Sequence, residues 1–436
     1  MSQALFALVD ASNFYVSCER VFRPSLNGRP VIALSNNDGN AIARSNEAKA
    51  LGIRMGEPWF QIRQRLPGAG VIALSANFAL YGELSGRLMA IAAGLGPAQE
   101  IYSIDECFLA MENMPGDLTL RSQKVRQRIL QWIGIPCGIG LGATKTLAKL
   151  ANFVAKSANR KPGSYPAEFA NVCNLAALSA SDLDSVMAAT DLGDIWGIGA
   201  RIGEQLRQAG LTSVLDVARL DPAMVRRRWS VVLERTVREL QGQACLGIQA
   251  EAPARQEIAC TRSFGHPVTD LADLIEAVSR FASRAGEKLR GQHGVAGHVL
   301  VFVHTNPFRQ HDTQYSRSLT VPLRRPTSDS RLIVQAAVHG LQQIYRPGLN
   351  YAKAGVMLLG LQHGPAAQHE LALGDDAPRL EALMAAMDRI NERHGPGTVA
   401  LASAGHFAEN RIWSMRQALK TPDYMARWSD IPTALA

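Results

Sequence analysis

A chain of 436 residues is long enough for about three domains. Its 47% hydrophobic and 19% charged content excludes a disordered polymer, and its net charge of +8 suits a polyanionic partner as well as it suits a basic protein that has none. Six scattered cysteines without a C-x-x-C pair exclude a disulfide scaffold or zinc finger, and no apolar run approaches the ~20 residues of a membrane span; with no signal-peptide pattern, a reducing cytoplasm is expected.

The first element is a short apolar run over residues 4–9, read as a strand buried on both faces, which ends in Asp10. An acid in that place faces a cleft in α/β sheets, and it is equally the N-cap of the next segment. Residues 31–34 and 71–74, both Val-Ile-Ala-Leu, are two further strands. Between them lie a turn at Asn36-Asn37-Asp38-Gly39 and a helix over 44–51 stopped by Gly52. A helix over 81–93 comes after the second of these strands. Residues 100–111 then read as two strands meeting at Asp105-Glu106. Strand side chains alternate faces, so adjacent acids inside a strand would bury one, whereas at a hairpin tip both reach a cleft. Two such carboxylates repel and a divalent cation neutralises them; an ordinary acidic turn is the plainer alternative.

A helix over 123–132 and a glycine-rich strand over 137–142 lead to an amphipathic helix over 144–156. Lys145, Lys149 and Lys156 share one of its faces, either to hold phosphates or to meet solvent. A second module begins near Ala167. In it, Gly197-Ile-Gly199 opens a helix carrying Arg201 and Arg207, a helix-hairpin-helix pattern whose backbone N–H groups suit duplex phosphates without reading bases. A linker over 241–254 precedes a β-α-β-β-α-β series, with strands at 256–261, 298–304, 314–321 and 354–361 and helices at 271–289 and 330–344. That order gives a sheet covered on one side, with Arg262, Arg284, Lys288, Arg290, Arg317, Arg324 and Arg325 available to a nucleic-acid backbone. Past residue 364, a helix over 378–394 carries Leu380, Leu383, Met384, Met387 and Ile390 at packing intervals, and an aromatic, basic tail includes Trp413, Tyr424 and Trp428.

The order of these pieces is the logic of a polymerase: carboxylates for two Mg²⁺ ions, lysines for a triphosphate and backbone grips for a duplex. The stretches Leu8-Val-Asp-Ala-Ser-Asn-Phe-Tyr15, Tyr102-Ser-Ile-Asp-Glu106 and Lys145-Thr-Leu-Ala-Lys149 resemble the signature of Y-family DNA polymerases. Ser35-Asn-Asn-Asp-Gly39, Glu47-Ala-Lys-Ala-Leu-Gly52 and Val232-Leu-Glu-Arg-Thr-Val-Arg-Glu-Leu240 are similar to the UmuC-type branch of that family, as is the tail.

The resemblance implies an α+β multidomain, right-hand fold. Its parts would be a palm over 1–14 and 77–166, fingers over 15–76 and a helix-hairpin-helix thumb over 167–240. The linker over 241–254, a little finger over 255–363 and a UmuC-type C-terminal region over 364–436 complete it. It implies error-prone translesion synthesis in the SOS response to DNA damage, with Asp10, Asp105 and Glu106 catalytic. Asp10, the Ala11 carbonyl and Asp105 would hold Mg²⁺, with Glu106 beside them. Tyr15 falls at the steric gate that excludes a 2′-hydroxyl, with Phe14 next to it; without the resemblance both read as core aromatics. Lys49 and Lys156 fall where the family grips the triphosphate. Asn46 stands where a tyrosine is usual, a shorter donor to phosphate, and Cys107 replaces an alanine.

DNA contacts are expected from Gly197, Gly199, Arg201, Arg262, Arg317 and Arg324. The implied partners are primed and damaged DNA, dNTPs, a processed UmuD dimer, a RecA filament and a sliding clamp, and no membrane. The clamp would be reached through Gln368-His-Glu-Leu-Ala-Leu373, with Gln368, Leu371 and Leu373 as contacts; leucine at 373 in place of the usual aromatic weakens the motif. Two rivals are a non-catalytic DNA-binding scaffold, which has no use for three repelling acids, and a palm-domain cyclase, which needs no thumb.

Overall fold

The computed structural model describes residues 4–251, 253–309, 311–363, 377–405, 413–425 and 427–433; Gln368, Leu371 and Leu373 lie outside them. The chain divides into two compact units, one of Met1–Ser35, Asn40–Ala252 and Leu419–Ala436, the other of Asn36–Gly39 and Pro253–Ala418.

The first unit begins with β1 (Phe6–Ala11), α1 (Phe14–Phe22), β2 (Val31–Leu34), β3 (Ala41–Arg44), α2 (Asn46–Ala50), α3 (Trp59–Arg65) and β4 (Ile72–Ser75). It continues through α4 (Phe78–Ala93), β5 (Ala98–Ile101), β6 (Glu106–Ala110), α5 (Leu118–Ile133), β7 (Cys137–Gly142), α6 (Lys145–Arg160) and β8 (Val172–Asn174). Helices α7 (Ala180–Ala188), α8 (Ala200–Gln208), α9 (Val214–Ala218), α10 (Pro222–Arg228) and α11 (Val231–Leu240) complete it. Two sheets organise these elements: a five-stranded one in the order β5-β6-β1-β7-β8 and a three-stranded one in the order β3-β2-β4.

The helix expected from residue 44 starts two residues later. Ala41–Arg44 pairs with β2, and the Ser45 hydroxyl then accepts from Ala48 N to cap α2, so Arg44 ends a strand. Helix α5 starts five residues before its expected position because Asp117 caps it through Thr119 N and Leu120 N.

Alternation along the five-stranded sheet explains its two faces. Ala7, Val9, Cys107, Leu109, Cys137, Ile139 and Leu141 pack with α4 and α5, while Phe6, Leu8 and Phe108 cluster with Ala148 of α6. On the α6 side β7 presents only Gly138, Gly140 and Gly142, so the helix lies directly on strand backbone. A Cβ at Gly142 would sit 2.6 Å from Ala148 N, and one at Gly140 would collide with the backbones of Asn152 and Ala148.

The second unit contains β9 (Ile258–Val268), α12 (Leu271–Arg290), β10 (Gly294–Thr305), β11 (Ser316–Thr327), α13 (Ser330–Ile344), β12 (Tyr351–His363) and α14 (Ala377–His394). Its four strands, in the order β11-β10-β12-β9, are all antiparallel and longer than the hydrophobic runs suggested. Val299, Val301, Val303, Val356 and Leu358 pack against α12 and α13 as the β-α-β-β-α-β order requires. Asp388 anchors α14 by accepting from Arg290 Nε (2.6 Å) and Nη2 (2.8 Å), so Arg290 is engaged within its own unit. On α14, Met384 is buried, whereas Leu383 and Ile390 are exposed.

Candidate active site

The lysine stripe of α6 is paired with acids and is not a solvated face. Each lysine meets the acid of one strand, and those strands are neighbours in the sheet. Lys145 pairs with Glu100 of β5; Lys149 Nζ lies 2.9 Å from Glu106 Oε1 of β6; Lys156 Nζ lies 2.6 Å from Asp10 Oδ1 of β1. The glycine face of β7 brings the helix close enough for these contacts. The Lys149 ammonium also stands over the rings of Tyr102 (4.6 Å) and Trp196 (5.0 Å), a cation–π arrangement that fixes it further.

Asp10 and Glu106 are directly opposed in the β1–β6 register, and Asp105 is the last residue of the turn between β5 and β6. The Asp105 carbonyl accepts from Ala11 N (2.9 Å), and its carboxylate accepts from Ser103 Oγ (2.6 Å). Three acids therefore gather at one end of the sheet. Burial raises the Asp10 carboxyl above the usual carboxylate range, opposed by Lys156; burial likewise raises Glu106, opposed by Lys149, and the neighbouring acids push both up further.

Among the described residues no three acidic, histidine or cysteine side chains stand arranged to chelate a metal ion. The donor set still fits a hard divalent cation, being carboxylate and carbonyl oxygens alone. A cation already lies against two of those donors: the Lys156 ammonium is 2.6 Å from Asp10 Oδ1 and 3.4 Å from the Ala11 carbonyl.

Tyr15 and Phe14 open α1. The Tyr15 ring stacks on Tyr81 of α4 (4.5 Å, 15°), meets Phe78 edge-on (5.9 Å, 89°) and tilts against Phe14 (5.9 Å, 53°), which is buried. Burial and then the Asp105 charge raise the Tyr15 phenol.

Asn13, part of the signature over residues 8–15 but given no role by it, links this corner to α2. Its Oδ1 accepts from Lys49 Nζ (2.6 Å) and its Nδ2 donates to Asn46 Oδ1 (3.1 Å). The available signal was an asparagine just past a strand, a residue type enriched among non-glycine positions of positive φ; here φ is 50°. Ser103, Glu100 and Tyr81 were also missed, since their roles depend on partners that no local pattern names. Lys49 is lowered to about 8, first by burial and then by Arg160, Arg44 and Lys156.

The expected DNA contacts are divided between the two units. Gly197 has φ 92° and Gly199 caps α8, with Arg201 exposed in the first turn; Arg207 is engaged with Asp191 (2.7 Å). Arg324 is exposed on β11, on the face away from the helices, and Arg317 is exposed near the start of that strand. Arg262 shares its side of β9 with the core residues Cys260 and Phe264, and its guanidinium lies over Trp413 (5.9 Å).

Residues 9–152 match the impB/mucB/samB family, residues 255–373 its C-terminal domain, and residues 381–434 a domain of unknown function. UmuC of Salmonella typhimurium strain LT2 is 42% identical, aligning 98% of this chain with 99% of its own. ImpB of Salmonella typhimurium is 41% identical over 99% of both. A Y-family DNA polymerase chimera of Dbh and Dpo4 shares the fold, with a TM-score of 0.62 at 18% identity, over 83% of this chain and all of that one. No helix among the described residues is long and apolar enough to cross a membrane. With end-to-end identity of that order and the palm, fingers, thumb and little-finger architecture, the chain belongs to the impB/mucB/samB family, the UmuC-like Y-family DNA polymerases of translesion synthesis and SOS mutagenesis.

Proposed function

We propose that nucleotidyl transfer from dNTP to a primer 3′-hydroxyl takes place at Asp10, Asp105 and Glu106, with two Mg²⁺ ions held by Asp10, Asp105 and the Ala11 carbonyl and with Glu106 beside them. The observation that carries this reading is the gathering of three acids at one sheet end, with the Lys156 ammonium against Asp10 and Ala11. When bound, such ions supply Lewis acidity at the attacking hydroxyl and the leaving pyrophosphate. The chain's own residues do the positioning. Lys49 and Lys156 offer charge to the triphosphate, with Asn13 aiming Lys49, and Asn46 adds a shorter polar reach. Primer extension opposite an abasic site, with and without the acids, tests the assignment.

Tyr15, held flat on Tyr81, reads as the sugar gate. Tyr15→Ala is expected to cut discrimination for dNTP over rNTP by about a hundredfold in single-nucleotide incorporation. An unchanged ratio would remove the gate assignment.

Lys49 gives the pH dependence a sign. Its pKa of about 8 leaves the ammonium charged below that pH and neutral above it. Because triphosphate binding needs the charge, kcat/KM for dNTP is expected to fall as pH rises through about 8. Lys49→Arg keeps a charge to far higher pH and should flatten that limb; an identical profile in the variant would exclude Lys49 as its source.

A small fingers region over the nascent pair trades geometric selection for tolerance of a distorted template base, which supports low fidelity and lesion bypass on primed, damaged DNA. The thumb loop at Gly197, Gly199 and Arg201 and the exposed Arg317 and Arg324 are the proposed backbone contacts, and Arg262 is the weakest of them, given its stacking on Trp413. By likeness to UmuC we further infer a processed UmuD dimer and a RecA filament as partners, and a weak sliding-clamp contact at Gln368, Leu371 and Leu373. Work on DNA in the bacterial cytoplasm accords with these partners.

A further inference from the structure

Residues 419–425 fall within the stretch that matches a domain of unknown function, yet they pack into the first unit beside the Tyr15 corner. Ser75 N donates to Leu419 O (3.0 Å) and Leu419 N to Ser75 Oγ (2.9 Å), and Ser75 forms a parallel bridge with Lys420, so the segment is a strap along the end of β4. The next contact is buried. Asn77 caps α4 by accepting from Leu80 N, and its Nδ2 donates to Thr421 Oγ1 (3.3 Å), Thr421 O (3.4 Å) and Pro422 O (3.3 Å). Farther along, Tyr424 stacks on Phe22 of α1 (4.8 Å, 7°).

Thr421 thus touches the start of the helix that carries Tyr81. The strap also reaches α1, the helix that carries Tyr15, through Tyr424 on Phe22. Glu19 of α1 has no exposed surface; its Oε1 accepts from the Tyr81 hydroxyl (2.7 Å), and its Oε2 has no hydrogen-bond partner among the described residues. Burial raises this carboxyl, and the Tyr81 hydroxyl is the main group that opposes the rise. A buried acid with one oxygen unpaired is costly to keep for packing alone. What it does hold is the Tyr81 phenol, and the Tyr81 ring is the plate on which Tyr15 lies.

We propose that the strap, through Thr421, Asn77 and Tyr81, is a positioning element for the Tyr15 ring and thereby sets how strictly the polymerase selects its sugar. The proposal rests on Tyr15 being the sugar gate. Thr421 holds the Asn77 amide that caps the helix carrying Tyr81, and Tyr424 holds the helix carrying Tyr15, so loss of the Thr421 hydroxyl frees the start of α4, then the Tyr81 ring, then the tilt of the gate. None of these residues touches the nucleotide; all act through Tyr15.

The test is single-nucleotide incorporation by the full chain, with kcat and KM for dNTP and rNTP measured separately. Thr421→Val removes the hydroxyl at nearly constant shape, Thr421→Ser restores it, Tyr81→Phe keeps the ring but cuts the bond to Glu19, and Tyr15→Ala is the reference. Thr421→Val and Tyr81→Phe are expected to lower dNTP-over-rNTP discrimination about three- to tenfold, chiefly by raising rNTP kcat/KM, with dNTP kcat within about twofold of wild type. Thr421→Ser should return the wild-type ratio. A purely structural strap would lower both nucleotides together at constant ratio, which would overturn the proposal. If Tyr15→Ala changes the ratio and neither Thr421→Val nor Tyr81→Phe does, the strap fails while the gate stands; if Tyr15→Ala leaves it unchanged, the gate itself fails. Should Thr421→Val not fold, the ratio in Tyr81→Phe decides.

Discussion

Asp105→Ala is expected to lower primer extension by at least about a thousandfold while leaving affinity for primed DNA within about twofold. The asymmetry comes from where the side chain sits. Asp105 lies in the β5–β6 turn, and its carboxylate is held by a hydrogen bond from Ser103 Oγ, worth about 1 kcal/mol to stability. Its structural link to β1 runs through its backbone carbonyl to Ala11 N, which alanine keeps. Removing the carboxylate also relieves repulsion on Asp10 and Glu106, both of which its charge pushes up. Little of the fold depends on this carboxylate, then, while the proposed metal site loses a donor that nothing nearby replaces.

Extension past an abasic site with Mg²⁺, with and without processed UmuD and a RecA filament, is the measurement. Extension by Asp105→Ala at the wild-type rate would take the acid cluster out of the chemistry. A wild-type chain that binds primed DNA and never extends it, even with partners, would make the scaffold reading the better one.

The gathering of Asp10, Asp105 and Glu106 was legible because its signals are local: an acid that ends an apolar run and an adjacent pair that a strand interior cannot accommodate. The β-α-β-β-α-β series was legible for the same reason, its helices being amphipathic and its strands apolar. The partners of the lysine stripe were not. Helical spacing puts Lys145, Lys149 and Lys156 on one face, but which acids they meet depends on β5, β6 and β1 being neighbours in the sheet, a non-local fact. The side of β9 that Arg262 takes was hidden by strand length. A strand ending at residue 261 leaves it as a basic residue in a loop, whereas β9 runs to Val268 and its alternation turns Arg262 to the side of Cys260 and Phe264. The strap was invisible because Thr421 and its partner Asn77 are separated by most of the chain, and nothing in an aromatic, basic tail names a buried asparagine as its anchor.

The same substitution at two glycines should act with opposite signs. Gly82 lies in the exposed interior of α4 with nothing within 4 Å of an added Cβ, so Gly82→Ala is expected to stabilise the chain by about 0.5–1 kcal/mol through helix propensity. At Gly140 an added Cβ meets the backbones of Asn152 and Ala148, which cannot rotate away. Gly140→Ala therefore pushes α6 off the sheet or bends β7, at a cost of about 3 kcal/mol. The loss does not stop at stability. The three lysine–acid pairs depend on α6 lying against strand backbone, so an α6 displaced by one methyl group also misaligns Lys156 with Asp10 and Lys149 with Glu106. Gly138 separates the two effects: its Cβ would meet the flexible Lys156 side chain at 3.0 Å, not backbone, so Gly138→Ala should raise KM for dNTP with little change in stability. Because a chain of two units need not unfold in one step, amide exchange over β7 and α6 is a better readout than a single melting temperature. Faster exchange there in Gly140→Ala, and wild-type protection in Gly82→Ala and Gly138→Ala, is the expected pattern. Unchanged exchange in Gly140→Ala would mean that the helix–sheet contact has slack, and the glycines of β7 would then need another reason.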